Sequence, residues 1–190
     1  REPGLMALKV SPLAPASFPD MPPIAGVRLA AHACGVRYQG RDDVLLAELA
    51  PATTVAGVFT RSATASAEVD WCRRALQESE GKGARGLLVN AGNANAFTGR
   101  AGEEAVHRVV RMTAALLGCA ETQIFRAATG VIGARLPDEK ITAALASLRD
   151  KLRPEAWETA ARAIMTTDTF AKGCTRTAVI DGAAVTLNGI

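Results

Sequence analysis

Along the chain the spacing of apolar and polar positions changes period several times, and each change marks an element. Two short apolar runs, Asp43 to Ala50 (DVLLAELA) and Thr54 to Thr60 (TVAGVFT), predict strands joined by a turn at Pro51. From Ser66 the period lengthens: Val69, Cys72, Arg73 and Leu76 recur at helical spacing, with Ser66 as the expected N-cap. Ala84 to Gly92 (ARGLLVNAG) reads as a strand again. A helix is then predicted from near Gly99, with Glu103 and Glu104 in its first turn, where acidic side chains suit the positive end of the helix dipole. Its apolar stripe is Val106, Val109, Val110, Thr113 and Leu117, and Gly118 is the expected stop. His107 lies beside that stripe and reads as a surface or core-edge residue.

A strand through Gln123 to Ala128 runs into Thr129-Gly130, and Pro137 opens a helix whose face carries Ile141, Leu145 and Leu148. Another helix is expected from Pro154 to about Met165. Two alternating strands, Cys174 to Asp181 and Ala183 to Ile190, flank Asp181-Gly182, a type I′ hairpin signal. Strands alternating with helices through the middle, with hairpins at both ends, predict a layered α/β protein. The expected organisation is an extended, proline-rich arm over residues 1–25 and a single α/β domain over 26–190.

Composition narrows the function. At 190 residues the chain can bury roughly 70% of its unfolded surface, enough for one sizeable core. A hydrophobic share of 48% against 22% charged is a globular balance, and no apolar run reaches the ~18 residues of a membrane span. The arm lacks the apolar core of a signal peptide. A net charge of +3 from scattered basic residues, with a single tyrosine, argues against nucleic-acid binding. Cys34, Cys72, Cys119 and Cys174 are far apart and accompanied only by His32 and His107, a spacing that does not suit zinc. Reduced thiols in the cytoplasm are the expectation.

Three stretches can carry chemistry. VNAGNANAFTGRAGEE (Val89 to Glu104) leads from a strand into a helix through Gly92, Asn93, Asn95, Thr98 and Gly99, but has neither the Walker nor the dinucleotide spacing. A hydrogen-bonded turn, with asparagines capping backbone groups, is its simpler reading. In RAATGVIG (Arg126 to Gly133), Thr129 Oγ and the Gly130 N–H can both donate to an oxygen that becomes negative during acyl transfer, or can form only a strand-end turn. In AIMTTDTFAKG (Ala163 to Gly173), Thr166, Thr167, Asp168 and Thr169 can bind a small polar substrate or cap the next element. No G-x-S-x-G elbow, paired carboxylates or partnered histidine supplies a nucleophile or base.

Taken together and in order, NAGNANAFTG, ATGVIGARLP and AIMTTDTFAKG resemble the ornithine acetyltransferase (glutamate N-acetyltransferase) family, and GVRYQGRDDVLLAEL with PATTVAGVFTRS extends the resemblance from about Gly26 to Ile190. Members are made as a precursor that cuts itself at an Ala-Thr bond; this sequence is similar to the α chain, ending before the cleavage site. The resemblance implies a layered α/β sandwich completed by a β chain, whose N-terminal threonine is the nucleophile, in an α2β2 assembly. It implies Thr129 and Gly130 as the oxyanion-hole pair and Thr166 as a substrate-binding residue. It also implies ping-pong transfer of acetyl from N-acetylornithine to glutamate in arginine biosynthesis, in the cytoplasm and without a cofactor or metal. Acetyl-CoA is a further co-substrate of some members. Ala91, Ala128 and Ala171 depart from the family pattern, where Ser, Ser and Pro are expected; none removes a proposed donor. Two alternatives remain open at this level: a self-processing amidase or aminopeptidase that delivers the acyl group to water, and a non-catalytic module binding a small anion.

Overall fold

The computed structural model describes residues 9–190. Its main sheet has four strands in sequence order: β1 (Val27–His32), β2 (Val44–Thr53), β3 (Ala84–Asn93) and β4 (Ile124–Val131). The first two neighbouring pairs are antiparallel, and β3–β4 is parallel. A parallel neighbour needs a crossover, here the helix α2 (Gly99–Leu117). The other helices are α1 (Ala67–Ser79), α3 (Asp138–Asp150) and α4 (Trp157–Ala163), and a separate hairpin pairs β5 (Cys174–Ile180) with β6 (Ala183–Gly189).

Strand β2 explains the layering. Val44 to Ala47 are all buried, so both faces of the sheet are covered there. On one face Ala30, Val44, Leu46 and Leu88 meet Val109 of α2 and Ile141, Leu145 and Leu148 of α3. On the other, Leu29, Ala31, Leu45 and Ala47 meet Trp157, Ala160 and Ala163 of α4, with Met21 from the arm. Helix α1 packs with α2 at the β4 end through Trp71, Cys72 and Ala75. The layered α/β expectation holds.

Several local expectations do not. Thr54 to Thr60 does not form a strand paired with β2, because β1 and β3 already occupy both edges of β2. Val55 and Phe59 pack inward from this segment as loop residues, while Val58 is fully exposed. The N-terminal hairpin partner is instead Val27–His32, a small-residue strand with a weak pattern that pairs with β2 from Val27↔Leu49 to His32↔Val44. Glu103 and Glu104 lie beyond the first turn of α2, which begins at Gly99 and has no acidic residue there. The last helix is shorter than expected, starting at Trp157 and closing at Ala163. Ser66 does precede α1, but it caps with its carbonyl, which accepts from Val69 and Asp70 N–H, rather than with its hydroxyl.

Pro51, expected in a turn, lies within β2. Other local expectations agree with the structure. Gly118 closes α2 in the left-handed conformation at φ 64, and Asp181 and Gly182 both take positive φ in the β5–β6 turn. His107 is exposed, its ring edge-on to Trp71 at 5.1 Å. The cysteines are free: Cys72 is buried and Cys174 exposed. Burial, reinforced by Asp43 and Asp42, pushes the Cys34 thiol up to about 12. No helix among the described residues is long and apolar enough to cross a membrane. Lys9 to Ala25 contains no helix or strand; residues 1–8 of the expected arm lie outside the described residues.

Candidate active site

The Thr-Gly step sits at the end of β4, the edge strand of the sheet. An edge strand leaves every second residue's N–H and C=O without a sheet partner. Near its start that edge is capped by α1: Trp71 Nε1 donates to the Ile124 carbonyl at 2.8 Å, and Cys72 Sγ lies 3.1 Å from the Arg126 carbonyl and accepts from its N–H at 3.2 Å. Counting onward by two from Arg126 on this outer edge reaches Ala128 and Gly130, which α1 does not cover. Gly130 is exposed and Thr129 half-buried. Among the described residues no side-chain hydrogen bond engages Thr129 Oγ or the Gly130 N–H.

Behind this step lies a β-bulge. Asn93 pairs with both Thr129 and Val131, and Gly92 stands opposite Gly130. Gly130 has φ 134, and a Cβ there would sit 2.3 Å from the Gly92 carbonyl carbon. Only glycine permits that approach. Gly92, at φ 99, is itself pressed against Arg37 and Tyr38, where a Cβ would come within 2.7 Å of Arg37 Cβ.

The asparagines of the β3–α2 connection are buried and committed. Asn90 Nδ2 donates to the Asn93 carbonyl at 2.8 Å, and Asn93 Nδ2 donates to the carbonyls of Ala134 and Arg135. Asn93 Oδ1 accepts from Asn95 N–H at 2.7 Å. Asn95 donates to Glu68 Oε1 and the Gly102 carbonyl and accepts from Thr98 Oγ1. With these groups occupied, the connection is the hydrogen-bonded turn of the simpler reading, and it buttresses the bulge.

Thr166 follows α4. Its N–H bonds Asp168 Oδ2 at 3.3 Å, while its hydroxyl has no side-chain or backbone partner among the described residues. Lys172 pairs with Asp168 and holds that carboxyl below the usual carboxylate range. Thr169 Oγ1 is taken by Ser11 N–H. Of these residues after α4, Thr166 and Thr167 both keep their hydroxyls without a partner among the described residues, whereas Asp168 and Thr169 are engaged.

No hydrogen bond joins Thr129 to Thr166. They are related through the 33–42 loop, whose Arg41 donates to the Met165 carbonyl at 2.6 Å and stacks over Tyr38 at 4.4 Å, while Tyr38 abuts Gly92. Buried Asp43 shapes that loop by accepting from Cys34 and Val36 N–H, both at 2.7 Å. The sequence pattern does not single out Arg41 or Asp43. Arg126, also missed by the motifs, does have a local signal, a charge inside an otherwise apolar strand.

Over residues 28–190 the sequence matches the ArgJ family. The chain belongs to that family. It is 51% identical over 186 residues to the arginine biosynthesis bifunctional protein ArgJ of Nitrobacter winogradskyi, covering 97% of this chain and 45% of that protein. It is 54% identical over 182 residues to the ArgJ of Ruegeria pomeroyi, covering 96% and 44%. The ArgJ-family chain thus spans less than half the length of these relatives. Among solved structures it is similar to Bacillus halodurans ArgJ, with a TM-score of 0.78 at 28% identity, covering 87% of this chain and 85% of that one. It is likewise similar to Mycobacterium tuberculosis ornithine acetyltransferase complexed with ornithine, with a TM-score of 0.76 at 32% identity, covering 88% of each. These likenesses bear out both the α/β sandwich and the family resemblance of the sequence motifs.

Proposed function

We propose that this chain is the α subunit of an acetyltransferase that moves acetyl from N-acetylornithine to glutamate in arginine biosynthesis, with Thr129 and Gly130 as its oxyanion hole. The observation that carries the reading is the Thr-Gly step itself: an unengaged hydroxyl beside an edge-strand amide, backed by a bulge too tight to accept a side chain. Donors fixed before reaction stabilise a developing oxyanion without reorganising, which makes such a pair effective. The names of the related proteins supply the pathway, and the solved ornithine acetyltransferase with its ornithine supplies the reaction and substrate class.

The nucleophile is a threonine at the N-terminus of a second, β chain, released when the precursor cuts itself. The free amine, with an unperturbed pKa of roughly 7.7 to 8, takes the hydroxyl proton, and the oxygen attacks the acetyl carbonyl. Collapse of the tetrahedral intermediate breaks the C–N bond and releases ornithine, leaving an acetyl ester on threonine. The glutamate amine then attacks that ester to form N-acetylglutamate and regenerate the hydroxyl. Thr129 and Gly130 stabilise the oxyanion in both steps, and Thr166 binds substrate. The relatives are about twice as long as this chain, while the solved chains it resembles are nearly covered by it, which supports a divided precursor. The assembly is α2β2, its site is cytoplasmic and no cofactor takes part; acetyl-CoA is the further co-substrate that the family resemblance allows.

The complete protein incubated with N-acetylornithine is expected to release ornithine in proportion to added glutamate; fast release without glutamate would assign hydrolysis instead. Thr129→Ala is expected to lower kcat by roughly 10²- to 10³-fold with little change in KM, as steady-state kinetics would measure. The anion-binding alternative is weakened by Asn93 and Asn95, whose side chains are already spent on the fold.

A further inference from the structure

Close to the Thr-Gly step, a guanidinium and a carboxylate are buried together. The Arg126 side chain is 0% exposed and that of Glu68 2%. The pairing is loose, with Arg126 NH2 3.7 Å from Glu68 Oε1, and both Arg126 Nε and Glu68 Oε2 lack a hydrogen-bond partner. Burying two charges for so open a contact is a poor way to gain stability, since an apolar pair of similar volume would serve as well or better.

What the pair does supply is geometry. A guanidinium presents its donors in a rigid planar fork. One prong, NH1, donates to the Leu88 carbonyl at 3.0 Å, and the other, NH2, to Asn90 Oδ1 at 2.9 Å. Asn90 in turn donates to the carbonyl of Asn93, the bulge residue opposite Thr129 and Val131. From the other side Glu68 Oε1 accepts from Asn95 Nδ2 at 3.1 Å, and Asn95 N–H bonds Asn93 Oδ1. A side chain of β4 thus grips β3 just before the bulge, and its counter-charge grips the loop just after it. Because Gly92 and Gly130 are in backbone contact, a shift of the bulge moves Gly130.

We infer that Arg126, oriented by Glu68, is a positioning residue that sets the Gly130 N–H and Thr129 Oγ for oxyanion binding; the inference rests on the acetyl-transfer reading above. It lies three residues before Thr129 on β4 and touches no reacting atom.

The test uses the complete protein. Arg126→Lys keeps the charge and loses the fork. It is expected to lower kcat by about 10- to 100-fold, with KM for N-acetylornithine within about twofold of wild type. The loss should be less than additive with that of T129A: R126K/T129A is expected to be impaired by less than the product of the two single losses, because only the Gly130 N–H is then left for Arg126 to position. Amide exchange over residues 127–133 should quicken in R126K while Val27–His32 and Asp138–Asp150 stay as in wild type. If R126K does not fold, R126M/E68Q, which leaves no charge unpaired, carries the same measurements. Wild-type turnover in the variant, losses that add, or exchange that rises equally everywhere would overturn the inference. A wild-type protein that releases no ornithine would defeat the transfer reading instead, and the exchange experiment would still decide whether Arg126 holds the strand.

Discussion

At Gly130 two constraints on one residue coincide, a positive φ and a backbone neighbour where a Cβ would stand. Gly133, three residues on, has φ 77 but open space to 4 Å around the corresponding position, so it separates the two effects. Gly130→Ala is expected to destabilise by about 1–3 kcal/mol and to abolish turnover, while Gly133→Ala should cost about 1 kcal/mol and retain it; chemical denaturation with parallel assays checks both. Asp168 offers a residue-scale pH effect. Its carboxyl is held low by the Lys172 ammonium, so the unfolded chain binds that proton more readily. The stabilisation is therefore present above the ordinary carboxylate pKa of about 3.9 and is lost as pH falls through the lower folded value. In Asp168→Asn, the acid fall of Tm should be shallower than in wild type.

Individual elements were legible where one face alone had to be buried. The stripe of α2, the Gly118 stop and the Asp181-Gly182 turn follow from 3.6-residue and two-residue periods with matching punctuation. The failures have a common origin. Thr54 to Thr60 has a strand's composition, but pairing with the preceding strand needs a free edge of β2, and β1 and β3 had filled both. Val27–His32 has a weak pattern yet is a strand because it reached that edge. Core packing is the element-scale determinant that can be measured. Leu148 of α3 is fully buried against the face that carries Leu46 and Leu88. Leu148→Ala is expected to cost about 2–5 kcal/mol, seen as a lower denaturation midpoint at unchanged slope.

For the whole molecule, the surface left open is informative. The β5–β6 hairpin carries Val179, Ile180, Val185 and Leu187 exposed, and an apolar cleft of 270 Å³ lies among Leu49, Val55, Phe59, Leu76, Leu87 and Phe125. Exposed apolar surface of this kind favours association. Under the α-subunit proposal, the chain produced alone should bind a hydrophobic dye and self-associate in sedimentation, whereas co-production with the remainder of the precursor should suppress both and raise Tm.

By itself the sequence determined the alternation of elements, the glycines that turns and a bulge require, and the polar residue types at which an acyl group can be handled. Each of these depends on near neighbours, through backbone sterics and side-chain period. Tertiary structure alone decided which strands shared an edge, that the asparagines were committed to the fold, and that Arg126 and Glu68 met in the interior. Those outcomes depend on groups tens of residues apart competing for the same hydrogen-bonding edges and the same buried space, and no local pattern encodes the winner.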